Sequence, residues 1–231
     1  MQAPRAEAGE LYDRIDPQPV SSREVVLEGH IWDVVRDVVD LGEAGEVTRE
    51  YVDHPGAVSV VALRRGPLFG SHEVLLIQQY RHPVGSYEWE LPAGLLDVPG
   101  EPGVDAAARE LAEEADLRAR QWDLLSEYFS SPGGLNEAKR IYLARDLHDV
   151  PEDERFDREA EELGMPVRWV DLDVAVAAIL SGRMRNSAAT IGLLAAYVSR
   201  SMQWSTLRAA DEPWTTHPRH HPDGGLGLTP E

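Results

Sequence analysis

The stretch ELPAGLLDVPGEPGVDAAARELAEEADL, residues 90–117, contains the pattern on which the interpretation of this chain depends. It places Glu110, Glu113 and Glu114 close together, directly after Arg109 and a loop rich in turn-forming residues. Like charges at helical spacing repel by roughly 0.2–0.5 kcal/mol per pair. Such a cluster therefore indicates either a solvent-exposed helix face or a site that holds positive charge.

The segment VDAAARELAEEA, residues 104–115, is predicted to be a helix because it is rich in alanine and has no β-branched residue after its first position. With about 100° per residue, Glu110 and Glu114 fall about 40° apart on one side of it. Arg109 precedes Glu113 by one helical turn and is expected to pair with it. We expect the carboxylates to point away from a core-facing side that carries Val104, Ala108, Leu111 and Ala115.

The carboxylates of Glu110 and Glu114 leave two interpretations open. Paired hard oxygen donors suit Mg²⁺ or Mn²⁺ shared with a phosphate ligand. The same residues also suit a solvated acidic face with one helix-stabilising ion pair. The preceding loop favours the metal, because Gly94 lets the backbone approach a ligand closely and the Ala93 carbonyl can point toward the carboxylates.

The whole stretch resembles the signature of the Nudix hydrolases: glycine, five residues, glutamate, seven residues, then Arg-Glu-apolar-any-Glu-Glu-any-Gly-apolar. Two departures are present: the loop from Gly94 to Glu101 carries one extra residue, and Asp116 stands where the family has glycine. Asp adopts a positive φ more readily than most residues, so Asp116 should lower stability before activity. The extra residue affects the path expected for the loop, but it does not affect the predicted metal site. The positions in register are Glu101, Arg109, Glu110, Leu111, Glu113, Glu114 and Leu117.

This resemblance implies an α+β fold of the Nudix type, an α/β/α sandwich in which a mixed β-sheet is flanked by helices. It implies a cofactor of Mg²⁺ or Mn²⁺, two or three ions per site, held by the Ala93 carbonyl, Glu110, Glu113 and Glu114. Catalytic roles follow for Arg109, Glu113 and Glu137. Glu137 lies in SSPGGLNEAKRIYLA (130–144), which resembles the family loop whose glutamate activates or positions the attacking water. The alternative for Glu137 is an exposed loop acid.

A second resemblance, upstream of the helix, concerns the substrate. QQYRHPVGSYEWELPAG (78–94) resembles the ADP-ribose pyrophosphatase branch of the family. This likeness implies that Arg81 contacts the phosphates and that Glu90 and Leu95 line the substrate site. Two alternatives remain open: Arg81 as a surface arginine paired with a neighbouring acid, and Glu90 as a brace for the loop.

The N-terminal segment EGHIWDVVRDVVDLGEAGEVTREYVDHPGAV (28–58) resembles the β-sheet extension of the same branch, which supports dimerisation. The likeness makes Trp32 and Tyr51 candidates to stack on adenine in the neighbouring subunit's pocket, and Arg49 a candidate to approach a phosphate or the terminal ribose. Aromatic residues at strand spacing also suit a core, and that alternative stays open. A homodimer is expected.

The order of predicted elements is strands, a helix, more strands and then two helices, which favours a mixed sheet covered by helices. A turn is predicted at DLGEAGE (40–46) between N-terminal strands, and a final helix from Asn186 to about Trp204. We expect a lead-in and β extension at 1–54, a hydrolase domain at 55–204, and a disordered tail rich in Pro, Gly and His at 205–231.

Composition excludes several classes of function. The net charge of −19 and the absence of a basic block argue against nucleic acid as a partner. No apolar run is long enough to span a membrane, and the N-terminus lacks the pattern of a secretory signal. The chain has no cysteine, which excludes disulfides and thiolate metal sites and suits a cytoplasmic protein.

The function implied by these resemblances is metal-dependent hydrolysis of ADP-ribose to AMP and ribose 5-phosphate. One alternative is another nucleoside diphosphate sugar, or a dinucleotide, cleaved at the same metal site. A second alternative, of a different class, is a non-catalytic ADP-ribose sensor, which would be expected to have lost the carboxylates.

Overall fold

The computed structural model describes residues 3–156 and 164–219, which divide into two units. One unit contains the chain up to Val52 together with the segment that starts at Trp214, and the other is Asp53–Pro213. No helix in the described ranges is long and apolar enough to cross a membrane.

The smaller unit is built on a three-stranded sheet with the order β1-β2-β3. β1 and β2 are antiparallel, and Val25 is opposite Val35. The predicted turn at 40–46 is confirmed, and Gly42 and Gly45 there have φ of 65° and 79°, which favour glycine. The strands are β1 (Val20–Leu27), β2 (Asp33–Asp40) and β3 (Glu46–Asp53).

A buried ion pair ties these strands together. Asp37, only 3% exposed, accepts a hydrogen bond from Arg23 Nε at 2.7 Å and another from the Tyr51 hydroxyl at 3.0 Å. Burial acts to raise the pKa of the Asp37 carboxyl, but the hydrogen bonds from Arg23 and Tyr51 outweigh it and hold that pKa below its usual value. The pair therefore stabilises the sheet only while Asp37 is ionised.

Replacing Asp37 with asparagine should lower the free energy of unfolding by about 2 kcal/mol at pH 7, because charge-assisted hydrogen bonds are lost. Since the folded pKa is depressed, this stabilisation is present above the unfolded pKa of about 3.9 and is lost as the pH falls through the folded value. Thermal unfolding of both proteins between pH 7 and about pH 3 checks this. The exposed Glu43→Gln is the control, and an unfolding difference independent of pH would contradict the prediction.

The larger unit is built on a mixed sheet with the order β10-β5-β4-β9-β8-β11, to which β6 is added beside β5 and β7 beside β4. β4 and β9 are parallel, whereas the other recorded pairs are antiparallel. The prediction of a mixed sheet is confirmed. The strands are β4 (Ala57–Arg65), β5 (His72–Arg81), β6 (Ser86–Glu90), β7 (Ala93–Leu95), β8 (Leu117–Phe129), β9 (Ala138–Asp149), β10 (Val167–Asp171) and β11 (Arg208–Ala209).

Helices cover both faces of this sheet, which confirms the α+β sandwich. The helices are α1 (Gly103–Ala115), α2 (Leu172–Leu180) and α3 (Ser187–Ser201). Alternate residues of β4 point to opposite faces, so Val61 packs with α2 and α3 and Val60 packs with α1. The Asn186 side chain caps α3 by accepting a hydrogen bond from Ala189 N at 3.1 Å, as predicted.

The C-terminal predictions need two corrections. The last helix ends at Ser201 instead of continuing to Trp204, because the backbone turns left-handed at Gln203 and Trp204. The predicted disordered tail was wrong for residues 205–219, which include β11 and a nearly fully buried His217. Local sequence gave no sign of either, because β11 forms only by pairing with the distant strand β8. The rest of the tail, 220–231, lies outside the described residues.

Candidate active site

The acidic helix α1 turns one of its glutamates inward. Glu114 is only 7% exposed, and its Oε2 accepts a hydrogen bond from the Ala93 backbone N–H at 2.8 Å. The prediction that all the carboxylates point away from the core was therefore wrong for Glu114. The buried side of α1 carries Ala106, Ala107, Leu111, Ala112 and Glu114, whereas Val104, Ala108 and Ala115 are only partly buried. The β7 backbone explains the difference, because it supplies a donor that satisfies a carboxylate on the covered side.

Gly94 is where the loop and the helix approach most closely. It lies in β7, opposite Val58 of β4, and a Cβ added to it would sit 1.9 Å from Glu110 Oε1. Any other residue would displace the carboxylate. The structure thus shows a close approach of Gly94 to the helix carboxylate, and its approach to a ligand stays a prediction.

Arg109 gathers three carboxylates. It binds Glu101 with two hydrogen bonds, Nε to Oε1 at 3.2 Å and Nη2 to Oε2 at 3.1 Å. Its Nη1 donates to Glu110 Oε1 at 2.6 Å and to Glu113 Oε2 at 3.2 Å. The predicted Arg109–Glu113 pair is confirmed, but the two-pronged partner is Glu101. These hydrogen bonds, led by that of Glu101, raise the pKa of Arg109 above its usual value.

The surroundings of Glu110 disfavour the ionised form of its carboxyl. Burial raises its pKa above the ordinary value, and Glu113 and Asp97 act in the same direction, while Arg109 acts to lower it. The ionised form is thus penalised by its surroundings, and Arg109 offsets only part of that penalty.

The residues fit a hard divalent cation in the chemistry of their donors. Glu101, Glu110, Glu113 and Glu114 supply oxygen alone, and Gly94, which has no side chain, lets the Glu110 carboxylate lie directly against the β7 backbone. Within residues 3–156 and 164–219, no three acidic or histidine side chains are already grouped in a metal-binding arrangement. Instead, Nη1 of Arg109 forms ion pairs with both Glu110 and Glu113. The place between these two carboxylates therefore already holds a positive charge.

Asp116 ends α1 in the way its position predicted. Its φ of 52° and ψ of 34° place it in the left-handed region, and its backbone N–H caps the helix on Ala112 O at 3.1 Å. A residue with a positive φ at this point is the usual helix end, and glycine is the usual choice.

Arg81 and Glu90 form a two-pronged ion pair across β5 and β6. Arg81 Nε and Nη2 each lie 2.7 Å from an oxygen of Glu90. The Glu90 side chain is 5% exposed, whereas that of Arg81 is 43% exposed. The structure thus brings Arg81 to a neighbouring acid, one of the open alternatives, and leaves its guanidinium reachable from solvent. Leu95, in β7, is partly buried.

Glu137 is covered, not exposed as the alternative held. Its side chain is 12% exposed, and Oε1 lies 3.2 Å from Lys139 Nζ and 3.6 Å from His54 Nε2. The adjacent Asn136 fixes the segment before β4: it accepts from the His54 backbone N–H at 2.7 Å and donates to Asp53 at 2.6 Å. Sequence reasoning missed Asn136, whose only signal was its place beside Glu137 after a glycine-rich turn.

The three candidates in the smaller unit have separate surroundings. The Tyr51 hydroxyl takes part in the Asp37 and Arg23 network, and Arg49 donates to the Thr48 carbonyl at 3.0 Å. Trp32 is 46% exposed. Their contact with substrate stays a prediction.

The sequence profile of the NUDIX domain matches residues 53–191, which is more than half of the chain. The chain therefore belongs to the Nudix family. It is similar to an "ADP-ribose pyrophosphatase" of Mycobacterium tuberculosis (strain ATCC 25618 / H37Rv), with 38% identity over 85% of this chain and 91% of that protein. An "ADP-ribose pyrophosphatase" of Bacillus subtilis (strain 168) is 30% identical over 60% of this chain and 71% of that protein.

A solved structure described as an ADP compounds hydrolase has the same fold. Its TM-score to this chain is 0.65, and the match covers 83% of this chain and 98% of that one. At 20% identity this likeness concerns the fold alone.

Proposed function

We propose that this protein hydrolyses the diphosphate bond of ADP-ribose to AMP and ribose 5-phosphate, with Mg²⁺ or Mn²⁺ as cofactor. The observation that carries the proposal is the junction of Gly94 with Glu110, where Arg109 gathers Glu101, Glu110 and Glu113. The likeness to the M. tuberculosis protein along nearly its whole length supports the choice of substrate.

Glu110, Glu113 and Glu114, with the Ala93 carbonyl, are the residues that would hold two or three cations. Bound divalent metal supplies Lewis-acid polarisation of the diphosphate and makes water more acidic. Glu114 is already fixed by the Ala93 N–H, whereas Arg109 Nη1 pairs with Glu110 and Glu113, so cations bound there would replace the arginine as the partner of these two carboxylates.

Glu137 is proposed to take the proton of the attacking water. Water adds to one phosphorus, the bond from that phosphorus to the bridging oxygen breaks, and AMP and ribose 5-phosphate leave. Lys139 Nζ and His54 Nε2, at 3.2 Å and 3.6 Å from Oε1 of Glu137, would hold its carboxylate in position before substrate binds.

A substrate panel tests the proposal. Full-length protein with Mg²⁺ is given ADP-ribose, other nucleoside diphosphate sugars and dinucleotides, and products are detected as phosphate after coupling to a phosphatase. We expect ADP-ribose to give the highest kcat/KM. Greater turnover of another diphosphate would overturn the substrate, and no turnover of any diphosphate would overturn the activity.

Arg81→Ala should raise KM for ADP-ribose, because a charged hydrogen bond to phosphate contributes about 1.5–3 kcal/mol. It also leaves the buried Glu90 without its two-pronged partner, so thermal unfolding is measured in parallel. Arg81→Ala/Glu90→Gln serves as the control, since it removes the same guanidinium without a buried charge. If both variants keep kcat/KM within about threefold of wild type, Arg81 lies outside the substrate site.

We also propose that the working unit is a homodimer in which Trp32, Tyr51 and Arg49 of the smaller unit approach the substrate of the neighbouring subunit. The support is the apolar exposure of β1 and the family likeness of residues 28–58.

A further inference from the structure

A cavity of about 630 Å³ lies within the larger unit, at the end of its sheet far from Gly94. Its walls include Leu63–Arg65 from the end of β4 and Arg145–Asp149 from the end of β9. The contact with Gly94 is made at the opposite end of β4, at Val58. At about 3.3 Å per residue the two places are separated by about 20 Å. The volume is in the range of small-molecule sites.

One positively charged side chain in the cavity wall has no ion-pair partner in the described parts of the chain. Arg65 is exposed, and no carboxylate in the described parts of the chain lies within ion-pairing distance of it. The two other wall arginines are already paired, Arg64 with Glu73 at 2.7 Å and Arg145 with Asp123 at 2.6 Å. In a protein of net charge −19, a free arginine in a concave site is a specific attraction for an anion.

The cavity wall also contains an aromatic side chain, that of Trp204, whose backbone conformation is unusual. Trp204 has a φ of 62° directly after Gln203 with a φ of 57°, a left-handed pair that bulky residues rarely adopt. This turn brings the indole to the cavity wall, where the His72 ring meets it edge-on with the centroids 6.0 Å apart and the Arg145 guanidinium lies over one side of it, 5.6 Å from the ring centroid. Backbone strain of this kind is concentrated at ligand sites.

Three nitrogen atoms of wall residues lack a hydrogen-bond partner in the structure although they are buried. They are His72 Nδ1, His148 Nδ1 and Arg145 Nε. Buried polar atoms are nearly always paired, so a group of three at one cavity indicates polar walls that the described chain does not satisfy by itself.

We propose that this cavity binds a small aromatic anion of the nucleoside monophosphate class, with its ring on Trp204 and its phosphate at Arg65. A bare anion would use the arginine but not the indole. An uncharged ring would use the indole but not the arginine. The wall carboxylate of Asp149 adds an acceptor for ribose hydroxyls.

Calorimetric titration of the full-length protein with AMP in EDTA tests the site. EDTA removes divalent metal, on which phosphate binding beside the acidic helix α1 depends. We expect one AMP per chain. Arg65→Ala should weaken binding at least about tenfold, the lower range for a charged hydrogen bond. Trp204→Ala should weaken it further than Trp204→Phe. The matched control is Arg168→Ala, which removes the same charge from β10 beside the wall residue Trp169 but is outside the cavity lining.

Three results would overturn the site. The first is the absence of AMP binding, and the second is equal binding by wild type and Arg65→Ala. The third is loss of binding in Arg81→Ala with none in Arg65→Ala, which would assign the AMP to the diphosphate site. Inorganic phosphate is the second probe: weaker binding than AMP supports the stacked ring, and equal binding overturns the nucleotide class.

Discussion

Glutamine in place of Glu114 is expected to lower kcat/KM for ADP-ribose at least about a hundredfold, the scale of losing one preorganised electrostatic contributor. Glutamine keeps the shape of the side chain but removes the charge that would hold a divalent cation. Its amide oxygen can still accept the hydrogen bond from Ala93 N–H that Glu114 accepts at 2.8 Å. The fold should therefore survive, although the position is buried.

The control for Glu114→Gln is Asp105→Asn, because Asp105 is an exposed acid in the first turn of the same helix. It makes the same kind of charge change, and its kcat/KM should stay within about threefold of wild type. Steady-state kinetics are measured over a range of Mg²⁺ concentrations, together with thermal unfolding. Near-normal turnover of Glu114→Gln in saturating Mg²⁺ would remove Glu114 from the metal site.

Much of the fold and of the acidic helix follows from local sequence. The alanine-rich composition places a helix at α1 to within one residue of its observed start, and Asp116 at its end adopts the left-handed backbone expected there. The segments 57–65 and 73–81 are rich in β-branched residues, which predicts strands where β4 and β5 form, and Asn186 locates the start of α3. Each signal lies within a few residues of the feature it predicts, so no knowledge of tertiary contacts is needed.

The remaining features depend on contacts between distant segments. The inward direction of Glu114 is set by the Ala93 N–H, which is 21 residues away in the chain. Helical periodicity predicted that the helix face carrying Glu114 is exposed to solvent, because acidic side chains are normally exposed. The bond between Asn136 and the His54 backbone spans 82 residues, and no local pattern reports it. These contacts become visible only when the strand pairing is known.

The smaller unit presents an apolar surface that its own sheet leaves uncovered. β1 is an edge strand, and Val25, Val26 and Leu27 are 47%, 43% and 62% exposed. These three residues lie at a register shift between β1 and β2, and they form a continuous run of exposed apolar side chains along the edge. An exposed apolar edge favours pairing with another chain, and a symmetric copy is the commonest partner in soluble oligomers. This argument supports the proposed homodimer.

Removal of residues 1–52 is expected to abolish ADP-ribose hydrolysis while the helix α1 and its sheet remain folded. The deletion stops before Asp53 because Asp53 and His54 bind Asn136 beside Glu137. Circular dichroism and thermal unfolding of the truncated protein check the fold, and Val26→Lys in the full-length chain provides a milder disruption of the same surface. Light scattering of the intact protein should give twice the chain mass of 25.6 kDa, and Val26→Lys should shift it toward the monomer with a parallel loss of kcat/KM. A fully active protein with a mass near 25.6 kDa at micromolar concentration would show that each chain completes its own site.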